Sequence, residues 1–236
     1  MCSICARSDT PMLIDHLGEL LCVACDSDDR CFACLRTLGG AADRKANTLY
    51  DDRRRCARCS TGAIENDDGL ELAVPDVREN LRSVGVVAAN RTRVTLRPYA
   101  ELQTRQSGLL GYTVIQTGSH EPVRAINVAD GLPMTLFGCV LAHEIAHAWL
   151  AGIPEARSAV EEEGLCELVA AWWLGHRGGR LSAYLLRAKN ENPDPIYGGG
   201  YRRAASLAGR KPPRAVVDLV SAGLWRTASQ DEACGR

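Results

Sequence analysis

The chain has 236 residues, 46% of them apolar and 24% charged, enough for one sizeable core with a small satellite, which excludes a disordered or fibrous protein. Its 28 basic and 29 acidic residues leave a net charge of -1, so no global field draws it to nucleic acid or to an anionic membrane. The longest apolar stretch, 134–154, is broken by His143, Glu144 and His147, and the N-terminus lacks the basic and apolar regions of an export signal, so neither a transmembrane helix nor a leader is expected and we place the protein in the cytoplasm.

Eleven cysteines in a reducing compartment call for a role other than disulfides. Eight of them form four Cys-x-x-Cys pairs, Cys2/Cys5, Cys22/Cys25, Cys31/Cys34 and Cys56/Cys59, and each pair can place two thiolates on one tetrahedral zinc. Four pairs make two structural zinc sites. The pairs join either in sequence, Cys2, Cys5, Cys22 and Cys25 around one ion and Cys31, Cys34, Cys56 and Cys59 around the other, or in an interleaved order. The loops of 16 and 21 residues within the sequential sites resemble those of LIM modules, which favours the sequential scheme and makes residues 1–62 a LIM-like double zinc ribbon. Such closed sites leave no position for a substrate, and the metal stands in for the core that about 60 residues can hardly build alone. His16 reads as a loop histidine, because eight thiolates already satisfy both ions. Arg53, Arg54, Arg55 and Arg58 read as a solvated basic face, since no aromatic residues are interleaved with them as nucleic-acid binding would require.

The polar run 60–69 reads as a linker, set at 63–69, ahead of a second domain over 70–236. Pro75 as a helix start, Val77, Leu81 and Val84 at helical spacing and Gly85 as a stop predict a short amphipathic helix. Three β-branched segments, 93–97, 109–117 and 123–129, predict a small antiparallel sheet. From Met134 the pattern turns helical, over 134–151, 159–174, 181–189 and 215–222, the last bounded by Pro212-Pro213 and Gly223. The class is α+β, with the sheet first and the helices after it.

Leu141-Ala142-His143-Glu144-Ile145-Ala146-His147 contains His-Glu-x-x-His. Two histidines four residues apart on a helix face the same way and can share one zinc. Glu144 stands where a general base can deprotonate an attacking water and pass the proton to a leaving amine, the chemistry of peptide hydrolysis. With five histidines and fourteen glutamates in the chain, about 0.006 such matches are expected by chance. The competing account is a pair of core histidines, since 136–150 is apolar almost all round. A catalytic zinc needs a third protein ligand, and Glu163 or Glu167, sixteen and twenty residues after His147, can supply it from one face of the next helix. Whichever does not bind the metal would accept the imidazole N–H of a ligating histidine. Glu161 and Glu162 read as carboxylates that favour the helix dipole. Among the free thiols Cys139, Cys166 and Cys234, Cys166 is near enough to Glu163 to be weighed against the metal. Trp172 and Trp173 read as core and amphipathic surface residues, with no cofactor role implied.

With 141–150, 160–167 and Pro195-Ile196-Tyr197-Gly198-Gly199-Gly200-Tyr201-Arg202 beside the cysteine pairs, nearly the whole chain resembles the plant organ-size peptidases with LIM and LIM-like domains, the DA-one type. The resemblance implies a zincin-type domain of the gluzincin kind, with active-site helices, whose metal is held by two histidines and the glutamate before a glycine, here His143, His147 and Glu163. Glu167, at a thermolysin-like spacing, stands where that family has glutamine, which leaves it a hydrogen bond to a ligating histidine; exchange of the two roles is the alternative. Tyr197, in a glycine-rich segment expected as a loop, is the first candidate donor to the oxyanion, followed by Tyr201, His176 and Tyr184, the last on a helix face with Leu185 and Ala188 that is expected to turn to the core. Strand 123–128 is the expected edge for an extended peptide. The family is switched by ubiquitin through helices that would precede the zinc module; with Cys2 opening this sequence and three lysines beside twenty-five arginines leaving few targets for modification, such control is not expected here. The expectation is a zinc-dependent endopeptidase with one catalytic and two structural zinc ions, acting on protein or peptide substrates and not on nucleic acid or membranes. No Gly-x-Met-Glu-Asn segment, the amine anchor of related aminopeptidases, is present. The alternative is a zinc-ribbon adaptor that binds a protein partner on a peptidase-like scaffold, for which a base beside the ligands would have no use.

Overall fold

Short loops between thiol pairs leave the N-terminal segment little regular structure of its own. The computed structural model describes residues 1–26, 28–39, 48–88, 92–116 and 123–225; Cys234 lies outside them. A hairpin of β1 (Met12–Ile14) and β2 (Leu20–Cys22) carries the second cysteine pair into a turn at its end. The one-turn helix α1 (Ala57–Ser60) carries the fourth. The thiols gather in sequential order: the donor atoms of Cys2, Cys5, Cys22 and Cys25 lie within 4.8 Å of one another, as do those of Cys31, Cys34, Cys56 and Cys59. Each cluster can hold one zinc in a closed tetrahedral site. The interleaved pairing is thereby excluded.

The remainder is a mixed assembly of helices and a small sheet. Residues 63–69, expected as a linker, contain strand β3 (Ala63–Ile64) and the first turn of α2 (Asp67–Ser83), which Asn66 caps by accepting the N–H of Gly69. The helix therefore starts eight residues before Pro75. That proline is tolerated because it and Glu71, whose carbonyl it leaves unpaired, are on the exposed side, while Ala73, Val77 and Leu81 are buried. β4 (Arg93–Arg97), the short helix α3 (Tyr99–Arg105), β5 (Gly111–Ile115) and β6 (Val123–Ala129) follow. Among the described residues the sheet order is β4-β6-β5, with β6 parallel to β4 and antiparallel to β5. The expected antiparallel sheet is thus mixed, because α3 shifts the chain sideways at the end of the sheet where β4 finishes, leaving room for β6 to insert between its two predecessors. Strand 123–128 accordingly lies in the centre, and β5 is an edge.

A tight turn leads to β7 (Leu132–Pro133), which pairs with β3, and then to α4 (Met134–Leu150), α5 (Ala159–Arg177), α6 (Gly179–Glu191), α7 (Tyr197–Ala208) and α8 (Pro213–Ser221). The apolar circumference of α4 is explained by its neighbours, α2 and α5 on one side and β5, β6 and β7 on the other. Gly138 lets α5 approach: a methyl there would sit 2.3 Å from the indole of the buried Trp173. The glycine-rich segment is helical, in contrast to the expected loop. Its glycines are demanded by contact, since a methyl on Gly200 would lie 2.6 Å from the carbonyl of Val160, and one on Gly164 would lie 2.5 Å from the carbonyl of Gly200. Among the described residues no helix is long and apolar enough to cross a membrane.

The four clustered arginines are paired with acids. Arg53 is buried, bonded to Asp51 at 2.8 Å and Asp130 at 2.9 Å, with its guanidinium over the rings of Phe32 and Tyr99. Arg55, also buried, meets Glu65 and the carbonyl of Gly131; Arg54 meets Asp29, and Arg58 meets Glu19. The expected solvated face is thus corrected for Arg53 and Arg55, which are buried and fasten the second ribbon to the turn before β7 through Asp130 and the carbonyl of Gly131, while Arg58 keeps 62% of its side chain exposed.

Candidate metal centre

α4 and α5 cross so that the second half of one faces the first two turns of the other. Ser158 and Glu161 start α5 with a reciprocal capping box, which accounts for Glu161 and leaves Glu162, Glu163 and Glu167 to face α4. Nε2 of His143 lies 3.1 Å from Nε2 of His147, and Oε2 of Glu163 lies 3.2 Å from the first and 3.5 Å from the second. The donors of a tetrahedral zinc with bonds near 2.0–2.1 Å are about 3.3–3.4 Å apart, which is the size of this triangle. Oε2 of Glu163 is buried, and among the described residues the polar atoms that face it are the two imidazole nitrogens, as for an oxygen of a shared ligand set.

The other ring nitrogens face carboxylates. Nδ1 of His143 is 3.2 Å from Oε1 of Glu167, and Nδ1 of His147 is 3.1 Å from Oε1 of Glu162. Each carboxylate can accept an imidazole N–H and so turn Nε2 toward the shared point. Glu162 therefore does more than favour the helix dipole. Burial disfavours the charge of Glu163, but hydrogen bonds from His143 and His147 hold its pKa down at about 2. Glu167 is likewise held at about 2 against burial, by His143 and by the charge of Lys189. Both histidines are raised in spite of burial, His143 by its bonds to Glu163 and Glu167, and His147 by Cys166, Glu162 and Glu163. The acids thus draw positive charge into this spot, as a proton or as a metal ion.

The thiol of Cys166 also comes within 4.8 Å of the histidine donors. It is fully buried, and burial pushes its pKa up to about 12, so it competes poorly with a carboxylate that is already ionised. Glu144 sits on the other side of the histidines. Its carboxyl is buried, which raises its pKa, and its Oε2 accepts the hydroxyl of Thr113 at 2.8 Å. Gly111 allows β5 to approach this closely, since a methyl there would meet Val140 at 2.6 Å and Glu144 at 3.2 Å.

His143, Glu144, His147, Glu163, Glu167 and Tyr197 line one open cleft of about 710 Å³, walled by β5 and by Leu136, Val140 and Leu185. Tyr197 enters it from the first turn of α7, half exposed, its hydroxyl pKa raised by burial and by the charge of Glu163. Tyr201, His176 and Tyr184 are not among the residues lining this cleft. His176 lies beside Trp173, with ring centroids 6.2 Å apart, at the end of α5. Tyr184 does not turn to the core: its ring packs against His16 of the first ribbon, with centroids 4.6 Å apart. Two residues, Thr113 and Lys189, were not singled out from the sequence, and neither carried a local signal; Glu162 was read there only as a carboxylate that favours the helix dipole.

Residues 90–184 match the family model described as "DA1-like: Protein DA1". The chain is 50% identical to Protein DA1-related 1 of Arabidopsis thaliana over 54 residues, which is 22% of this chain and 10% of that protein. It is 28% identical to Protein DA1-related 2 of the same plant over 134 residues, 42% of this chain and 25% of that protein, and 43% identical over 54 residues to LIM domain-containing protein HDR3 of Oryza sativa subsp. japonica, 22% of this chain and 11% of that protein. The matches span a quarter or less of each relative's length. No solved structure matches. The likeness to the DA1-type family of LIM-domain plant proteins, read from the motifs, is thereby shown.

Proposed function

We propose that this DA1-like chain is a zinc-dependent endopeptidase in which a LIM-like double zinc ribbon is followed by a zincin-type domain of the gluzincin kind. The observation that carries the reading is the triangle of His143 Nε2, His147 Nε2 and Glu163 Oε2, of zinc-ligand size, with a buried carboxylate on Glu144 beside it. Together with the four thiols at each ribbon, it calls for one catalytic and two structural zinc ions. When bound, the catalytic ion would activate water and polarise the scissile carbonyl.

The chain's own groups supply the rest. Glu144, held by Thr113, takes a proton from the attacking water and returns it to the leaving amine; its raised pKa suits it to both steps. The hydroxyl of Tyr197 donates to the carbonyl oxygen as negative charge develops there. An extended peptide would pair with the edge strand β5, which borders the cleft, in place of the central β6. An open cleft suits an internal segment of a protein or peptide chain, taken from the cytoplasm; neither nucleic acid nor a membrane has a part in this reading, and control by ubiquitin is no part of it.

The test is zinc content together with cleavage of casein and a peptide library. Wild type should hold three zinc ions, and His143→Ala/His147→Ala two. Glu144→Gln should keep three and lose at least about 100-fold in kcat, the scale of general-base catalysis. Two zinc ions in every protein and no cleavage would overturn the proposal in favour of an adaptor.

A further inference from the structure

α6 has two different faces, and both are occupied. Outward, it meets the first zinc ribbon: Arg180 lies 3.0 Å from Glu19, Arg187 donates to the carbonyl of His16 at 2.7 Å, and Tyr184 packs on the His16 ring. Inward, it presents Leu185, Ala188 and Lys189 to the cleft. The ammonium of Lys189, whose side chain is 15% exposed, donates to Oε2 of Glu167, and the other oxygen of that carboxylate faces Nδ1 of His143 at 3.2 Å. Lys189 is one of three lysines in a chain with twenty-five arginines. A compact ammonium can meet one carboxylate oxygen and leave the second free for the imidazole, whereas a planar guanidinium tends to take both.

We propose that Lys189 is a positioning residue for the metal centre: by pinning one oxygen of Glu167, it aims the other at His143 and so fixes the direction of Nε2. The inference rests on the reading of His143, His147 and Glu163 as a zinc site. It makes α6 the part that joins the first ribbon to that site, through a chain of contacts from His16 and Glu19 to His143.

The experiment uses the full chain, with total zinc counted by elemental analysis and the affinity of the weakest zinc measured by competition with a chromophoric chelator. Lys189→Met should weaken that zinc by about 10- to 100-fold, the usual cost of losing a group that orients a ligand, while two zinc ions stay on the cysteines. Lys189→Met/Glu167→Gln should recover most of the loss, because an amide can accept from His143 without a counter-ion. A merely structural role would not predict that recovery. Wild-type affinity in Lys189→Met, or an undiminished loss in the double variant, would overturn the proposal; should Lys189→Met fail to hold the cysteine zincs, the double variant decides. A wild-type chain with only two zinc ions would instead overturn the reading of the site itself, and this proposal with it.

Discussion

The two ribbons carry the same four thiols at similar spacing, but they stand in different mechanical situations. Cys31, Cys34, Cys56 and Cys59 are all buried and belong to the same core as Phe137, Trp173 and the rest of the helical region. The first ribbon has a separate small core of Cys2, Leu21 and Cys22, with Cys5 exposed and Cys25 half-buried. The seams differ in the same way. The second ribbon is fastened to the helical region by the buried Arg53 and Arg55; the first is docked through Glu19, which meets Arg36 and Arg58 of the second ribbon and the exposed Arg180 of α6, and through a stacked histidine. Identical metal chemistry thus serves in one place as part of the main core and in the other as a docked attachment, and burial decides which.

The largest test of this difference is to remove each zinc in turn. Cys34→Ser/Cys56→Ser should unfold the whole chain, because a structural zinc of this kind contributes on the order of 10 kcal/mol to the fold that encloses it, more than most domains have to spare. Cys5→Ser/Cys25→Ser should lose one zinc and raise hydrogen exchange only in the first 26 residues and the outer face of α6. Equal global unfolding in both would erase the distinction. A smaller effect is expected at the buried seam: Arg53→Met leaves Asp51 and Asp130 without their cation and should cost about 3–5 kcal/mol in urea unfolding. The smallest is at the exposed seam, where Arg180→Ala should cost less than about 1 kcal/mol. If Arg180→Ala matched Arg53→Met, the first ribbon would have to be counted as part of the core.

The ligand sets of all three proposed metal sites were legible in the sequence, because each is built from donors at local spacing. Cys-x-x-Cys places two thiols on one turn, His-x-x-x-His places two imidazoles one helical turn apart, and Glu163 and Glu167 fall on one face of a helix. The division of roles between those glutamates was left open by the spacing; the crossing of α4 and α5 puts Glu163 beside both Nε2 atoms and Glu167 on the far side of His143. The helix over Tyr197–Ala208 was hidden because glycine lowers helix propensity, and its reason for being there is a close contact with α5 that no local pattern reports. The mixed sheet was hidden because strand order depends on how far sideways α3 shifts the chain before β5 begins.

By itself the sequence determined the number of thiol clusters and the two histidines and the base on one helix, since these depend on geometry within a few residues or on the count of ligands a closed site needs; it favoured the sequential pairing of the cysteines, which the structure then decided. Only the tertiary structure decided that Thr113 holds Glu144, that Glu162 and Glu167 each face one imidazole, that Lys189 pins Glu167, and that Arg53 is a buried clasp. Each of those is a contact between groups distant along the chain, and its energy depends on burial, which is a property of the packed molecule and not of any segment.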